Sequence, residues 1–146
     1  MKLIFFGTPQ FAVPTLELLF SSDHRILSTI TAPDIKQGRG LKVKESPISK
    51  ISRQLKLNTL KPTHLSNPNF IRKLQSFEPD LFIVVAYKIL PREVFTIPKL
   101  GTINLHASLL PKYRGAAPIE RAILNGETST GLTTFKIEKK VDVGMI

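Results

Sequence analysis

The chain has 146 residues, no cysteine, 42% hydrophobic residues and a formal net charge of +10 from 21 Lys and Arg against 11 Asp and Glu. That length holds one domain with a real core rather than two generous ones, and the lack of cysteine excludes disulfide frameworks and thiolate metal sites. The positive balance points to a polyanionic partner, nucleic acid first, with plain solubility as the alternative.

Lys2 to Phe6 is an apolar run closed by Gly7, the pattern of a central parallel strand buried on both faces. It is too short for a secretory core or a membrane span, so a cytoplasmic protein is expected, or an organellar one whose transit peptide has been removed. Thr8 is placed to cap a helix with Pro9 at its first position, carrying Phe11, Ala12, Leu16, Leu19 and Phe20 at helical spacing. Ile26 to Thr31 reads as a second strand, which completes a βαβ unit. Gly7-Thr8-Pro9 is no dinucleotide fingerprint, because the glycine spacing and the acidic residue after the second strand are both missing.

Ala32 to Ser46 reads as a long loop, glycine-rich around Arg39, with Lys36, Lys42 and Lys44 set against Asp34 and Glu45. Loops of that length are usually functional or disordered, and this one is the candidate nucleic-acid contact. Ser46-Pro47 opens a helix over Ile48, Ile51 and Leu55, Thr59-Leu60 reads as a short strand, and Asn67-Pro68 caps a helix over Phe70, Ile71, Leu74 and Phe77. Leu81 to Val85 is the clearest strand, followed by the Ala86-Tyr87-Lys88 exit and a short helix near Glu93. Gly101 to Leu105 is another buried strand, Ala117-Pro118 starts a helix that stops at Asn125-Gly126, and Gly131 to Ile137 is a last strand before the turn at Asp142-Val143-Gly144. Strands alternating with helices give a doubly wound α/β domain, whose ligands bind outside the carboxyl ends of the strands. The exits at Tyr87 to Pro91 and His106 to Arg114, and the loop through Asp142, meet that rule.

Asn104 and His106 stand two apart at the end of a strand and therefore share a face. An amide donor beside an imidazole suits a reaction with a developing oxyanion and a travelling proton. Asp142 would add a carboxylate that orients the imidazole and receives a proton from an attacking amine. The plainer readings stay open at this point: a turn-capping Asn, a satisfied core His and a turn-forming Asp. No Ser-His elbow suggests acyl-enzyme chemistry, and the three histidines lack metal-ligand spacing, so no metal is expected.

Asn104-Leu105-His106-Ala107-Ser108-Leu109-Leu110-Pro111, followed by Tyr113-Arg114-Gly115-Ala116-Ala117-Pro118-Ile119, resembles the signature of the folate-dependent formyltransferases. Gly7-Thr8-Pro9 with Phe11-Ala12, and Pro33-Asp34 followed by Gly38-Arg39-Gly40, narrow the resemblance to the branch of that family that formylates methionyl-tRNA. The resemblance runs through the whole chain and implies a Rossmann-like, mostly parallel sheet with helices on both faces. It implies transfer of the formyl group of 10-formyltetrahydrofolate to the amino group of initiator methionyl-tRNA, by a monomer that needs no metal and no membrane. Asn104, His106 and Asp142 match the family's catalytic residues, and Ser108, Leu109, Leu110 and Pro111 match its folate-binding segment. Tyr87, Ile89 and Leu90 resemble the loop lining the pterin pocket, and the Ala32 to Ser46 loop with Lys36, Arg39, Lys42 and Lys44 resembles the insertion that reaches the tRNA acceptor stem.

Three features depart from the family pattern. The loop between Tyr87 and Pro91 is one residue shorter, with Lys88 where the family usually has Gly. Met145 follows the glycine after Asp142, where a polar or acidic residue is typical. The sequence ends at Ile146, where the family's catalytic domain continues and a barrel-like tRNA-binding domain follows. Residues 1–146 are therefore expected to form an incomplete N-terminal catalytic domain of a truncated enzyme. The competing expectations are a formyltransferase with another amine acceptor, and a non-catalytic module that binds tRNA or folate.

Overall fold

The computed structural model describes residues 1–37 and 42–138, with the backbone alone for Lys36, Gln37 and Lys42. Six strands form the main sheet: β1 (Lys2–Gly7), β2 (Arg25–Ile30), β5 (Thr59–Leu60), β6 (Leu81–Val85), β7 (Thr102–His106) and β8 (Thr133–Lys136). Their order is β5-β2-β1-β6-β7-β8, parallel throughout except that β8 runs antiparallel to β7.

The apolar runs fold as their pattern requires. In β1, Ile4 and Phe6 join one core cluster with Phe82 and Val84 of β6, while Phe5 faces the other way into a second cluster with Val85. The first cluster is covered by α3 (Pro68–Ser76) and α4 (Arg92–Phe95), through Leu74 and Val94. The second is covered by α1 (Val13–Phe20) and α2 (Pro47–Gln54), through Leu16 and Ile48. A last helix, α5 (Pro118–Leu124), follows the loop after β7. Helices therefore lie on both faces of a mostly parallel sheet, the doubly wound arrangement that the alternation predicts.

Two caps form as read. The Ser46 hydroxyl accepts from Ser49 N at 3.0 Å and the Asn67 amide oxygen accepts from Asn69 N at 2.8 Å, each with proline at the first helical position. Thr8 does not cap α1. A short 3-10 turn, Gln10–Ala12, intervenes with Pro9 before it, and Thr8 Oγ1 instead accepts from Ala32 N at 3.4 Å. Pro14, in the first turn of α1, fits there because first-turn amides have no partner within the helix.

The expected 32–46 loop is corrected more substantially. It holds an antiparallel pair, β3 (Ile35–Gln37) and β4 (Lys42–Lys44), with Ile35 opposite Lys44 and Lys36 opposite Val43. Ile35 and Val43, the apolar residues of these strands, are 52% and 65% exposed, so they write no buried alternating pattern into the sequence.

Candidate active site

The strand order reverses between β1 and β6, since β2 and β5 lie to one side of β1 and β6 to β8 to the other. Ligands in doubly wound sheets sit at such a switch point, outside the carboxyl ends of the strands. A cleft of about 550 Å³ opens there among the described residues. Pro9 and Phe11 line it from the β1 exit, Ala86 to Leu90 from the β6 exit, and Asn104 to Ala107 from the end of β7. Gly115 to Glu120 and Phe135, Ile137 and Glu138 complete the wall. The lining is apolar with a few polar groups among it, the usual make-up of a site that binds a flat organic ligand and orients it.

Asn104 and His106 stand together on one face of β7. In register, Asn104 lies opposite Val84 and Phe135, and His106 opposite Thr133. His106 is buried, its Nε2 donates to the Tyr113 carbonyl at 2.9 Å, and the Phe135 ring lies edge-on with centroids 6.5 Å apart. A carbonyl only accepts, so Nε2 carries a proton in this contact. The Asn104 side chain makes no hydrogen bond to the described residues and lines the cleft.

Tyr87, Ile89 and Leu90 also line the cleft. Leu90 is buried in the core beneath it and Ile89 is exposed at its rim. The Tyr87 ring meets Phe6 edge-on at 5.6 Å, and its buried hydroxyl has no hydrogen-bond partner among the described residues. Burial pushes the Tyr87 pKa up to about 12.

Ser108, Leu109, Leu110 and Pro111 do not line the cleft. Ser108 is fully buried and donates through Oγ to the Lys112 carbonyl at 2.6 Å. Thr133 Oγ1 donates to the Ser108 carbonyl at 2.7 Å and accepts from Leu110 N at 3.1 Å. Leu109 packs over Gly131, and the Leu110–Pro111 peptide is cis. The segment thus braces the loop that carries Tyr113 back onto His106.

That loop is pinned at its far side as well. Tyr113 Oη and Lys112 Nζ donate to Glu127 at 2.8 and 3.2 Å. These bonds, the tyrosine's first, hold the Glu127 carboxyl below its ordinary pKa. Arg121 donates to the Arg114 carbonyl at 2.7 Å and lies over the Tyr113 ring at 5.4 Å.

Asn104, His106, Tyr87, Ile89 and Leu90 are therefore brought to one cleft. Asp142 and Arg39 lie outside the described residues, as do the side chains of Lys36 and Lys42, and Lys44 is exposed on β4 and does not line the cleft. Pro9, Phe11, Phe95 and Phe135 also line the cleft and are not among the residues expected there from the sequence. The strand-end rule applied to β1 would find Pro9 and Phe11, whereas Phe135 reaches the cleft only through the antiparallel pairing of β8.

The family model described as formyl transferase matches residues 1–146. The chain is 48% identical over 146 residues to a methionyl-tRNA formyltransferase of Caldanaerobacter subterraneus subsp. tengcongensis, covering 99% of this chain and 47% of that protein. It is 52% identical over 145 residues to the methionyl-tRNA formyltransferase of Thermodesulfovibrio yellowstonii, again covering 99% and 47%. The chain thus spans about half the length of these curated relatives. Among solved structures, a phosphoribosylglycinamide formyltransferase from Bacillus halodurans superposes with a TM-score of 0.79 over 100% of this chain and 76% of that one, at 15% identity, a likeness of fold. With its whole length matched by the family model, and with the strand order and strand-end cleft described above, the chain belongs to the formyl transferase family.

Proposed function

We propose that this chain carries the formyl-transfer centre of an enzyme that moves the formyl group of 10-formyltetrahydrofolate onto the amino group of initiator methionyl-tRNA. The observation that carries the reading is the pairing of Asn104 and His106 on one face of β7, on the wall of a cleft continuous with Tyr87 to Leu90. The branch assignment rests on relatives 48% and 52% identical that are named methionyl-tRNA formyltransferases.

In this reading the flat pterin of the donor lies between the Tyr87 to Leu90 loop and the end of β7, with Ser108 to Pro111 holding the floor of the site in shape. The methionyl amine attacks the formyl carbon, and the carbonyl oxygen becomes an oxyanion. The Asn104 amide and an N–H of His106 stabilise that charge, as fixed donors in a largely apolar cleft do more effectively than water. Asp142, two residues before Gly144, takes the proton that the amine loses. The folate nitrogen leaves carrying a proton, so one N–H is broken and one is made. The basic residues Lys36, Arg39, Lys42 and Lys44 of the 32–46 segment contact the tRNA near its acceptor end. The protein acts as a cytoplasmic or organellar monomer.

The test is transfer of labelled formyl from 10-formyltetrahydrofolate to Met-tRNA, in competition with glycinamide ribonucleotide and beside a His106→Ala variant. Formylated Met-tRNA that vanishes in the variant supports the reading. Preference for the small acceptor, or equal turnover by the variant, overturns it.

A further inference from the structure

Tyr113 has a backbone φ of 56°, in the left-handed region that few residues other than glycine occupy. A residue stays in that region only where its surroundings hold it, and residues held in this way gather at functional sites. The carbonyl of Tyr113 is the group that accepts from His106 Nε2 at 2.9 Å. A return of Tyr113 to right-handed or extended backbone would turn that carbonyl off the imidazole. What holds Tyr113 therefore also holds His106.

The holding contacts come from α5 and the turn that ends it. Arg121 lies over the Tyr113 ring at 5.4 Å, and Tyr113 Oη donates to a Glu127 carboxylate oxygen at 2.8 Å. Glu127 is fixed in turn by the way the helix stops. Gly126 takes a φ of 68°, its N–H donates to the Ile123 carbonyl at 3.0 Å, and Glu127 N donates to the Ala122 carbonyl at 3.0 Å. That pair of bonds is the usual closure of a helix on a left-handed glycine. Asn125-Gly126 thus sets the backbone of the residue that follows, on a helix anchored through buried Ala122. Lys112, whose side chain is 69% exposed, adds only a solvent-screened ion pair to Glu127.

We infer that Glu127 is a positioning residue for formyl transfer: through the Tyr113 side chain it fixes the Tyr113 carbonyl, which fixes the Nε2 proton and the ring orientation of His106. This rests on the reading of His106 as a group that stabilises the transition state. Glu127 does not line the cleft, so its effect on the reaction runs through the loop. The bond at one ring nitrogen decides where a histidine carries its proton, and a donor aimed at a developing charge works only when held in place.

The experiment compares wild type with Glu127→Ala, Glu127→Gln, Tyr113→Phe and the double variant Glu127→Ala/Tyr113→Phe. Each is read by nitrogen NMR of the imidazoles, with His106 identified as the signal missing from His106→Ala. Each is also read by kcat for Met-tRNA formylation, beside the donor Kd. In wild type, His106 Nε2 should carry a proton that exchanges slowly with water. Glu127→Ala and Tyr113→Phe should each speed that exchange and lower kcat by roughly 10- to 100-fold, as misplacing a reacting group by about an ångström does, with the donor Kd within a few-fold. The double variant should be no worse than either single one, because both break the same bond. Glu127→Gln keeps an acceptor oxygen for Tyr113 and loses only the screened ion pair, so it should recover the slow exchange and most of the rate. A His106 signal unchanged in Glu127→Ala, or losses that add in the double variant, overturns the positioning. Wild-type turnover by His106→Ala overturns the formyl-transfer reading instead, and the spectrum then still decides whether Glu127 fixes the ring.

Discussion

Gly7→Ala is the most informative single change at the β1 exit. A Cβ built on Gly7 would lie 2.8 Å from Phe5 Cε1, 2.9 Å from Ala12 Cβ and 3.2 Å from the Val85 carbonyl oxygen. Ala12 and the Val85 backbone have no rotamer by which to yield, so the 3-10 turn or the strand must shift. The usual cost of such overpacking is about 1–3 kcal/mol, offset by roughly 0.4–1 kcal/mol from the lower entropy of the unfolded chain. At the middle of that range, a net loss of about 1.3 kcal/mol, the melting temperature of a domain of this size should fall by roughly 3–5 °C, read by circular dichroism or calorimetry. The turn that moves carries Pro9 and Phe11 into the cleft, so donor affinity should weaken as well. Gly7→Ala/Ala12→Gly relieves one of the clashes, and a double-mutant cycle should show a coupling of at least about 0.5 kcal/mol. A melting temperature within a degree of wild type, or strict additivity in the cycle, would refute the packing argument.

Tyr87→Phe removes a buried hydroxyl that lacks a partner among the described residues, and should stabilise the free protein by up to about 1–2 kcal/mol in denaturant titration. Its raised pKa makes a second check: the neutral phenol is favoured in the folded state, so stability should hold below pH 10 and decline between about 10 and 12, a decline Tyr87→Phe abolishes. Asp80 accepts from Lys2 N at 2.7 Å, and that bond first among the causes lowers its pKa. A depressed carboxylate contributes above its unfolded value and is lost as pH falls through the folded one, so stability should drop below about pH 4, less steeply in Asp80→Asn. Thr133→Val leaves Leu110 N and the Ser108 carbonyl unpaired and should cost about 1–3 kcal/mol, with slower turnover because the loop that braces His106 loosens.

What the sequence reveals and what it hides divide along burial. Phe5, Phe6, Phe82 and Val85 belong to strands covered on both faces, so their runs are continuous and their elements legible. The caps at Ser46-Pro47 and Asn67-Pro68 are local chemistry and equally readable. The β3–β4 pair is not, because Ile35 and Val43 face solvent and backbone pairing leaves no mark on side-chain pattern. The antiparallel direction of β8 is also invisible, since strand direction depends on which end of the sheet the chain returns to. At the site, period-two spacing correctly puts Asn104 and His106 on one face. Adjacency in sequence is a weaker guide: Ser108 follows His106 closely, yet its side chain turns inward to hold the loop.

The central claim is that Asn104 and His106 stabilise the transition state of formyl transfer. Its most direct test is kcat for Met-tRNA formylation by Asn104→Ala and His106→Ala, with the donor Kd measured in parallel. Removing one oxyanion donor typically costs 10²–10³ in rate, so kcat should fall by about that much in each variant while the donor Kd stays within a few-fold. Turnover near wild type in either variant, or a loss that appears wholly in donor binding, would contradict the account.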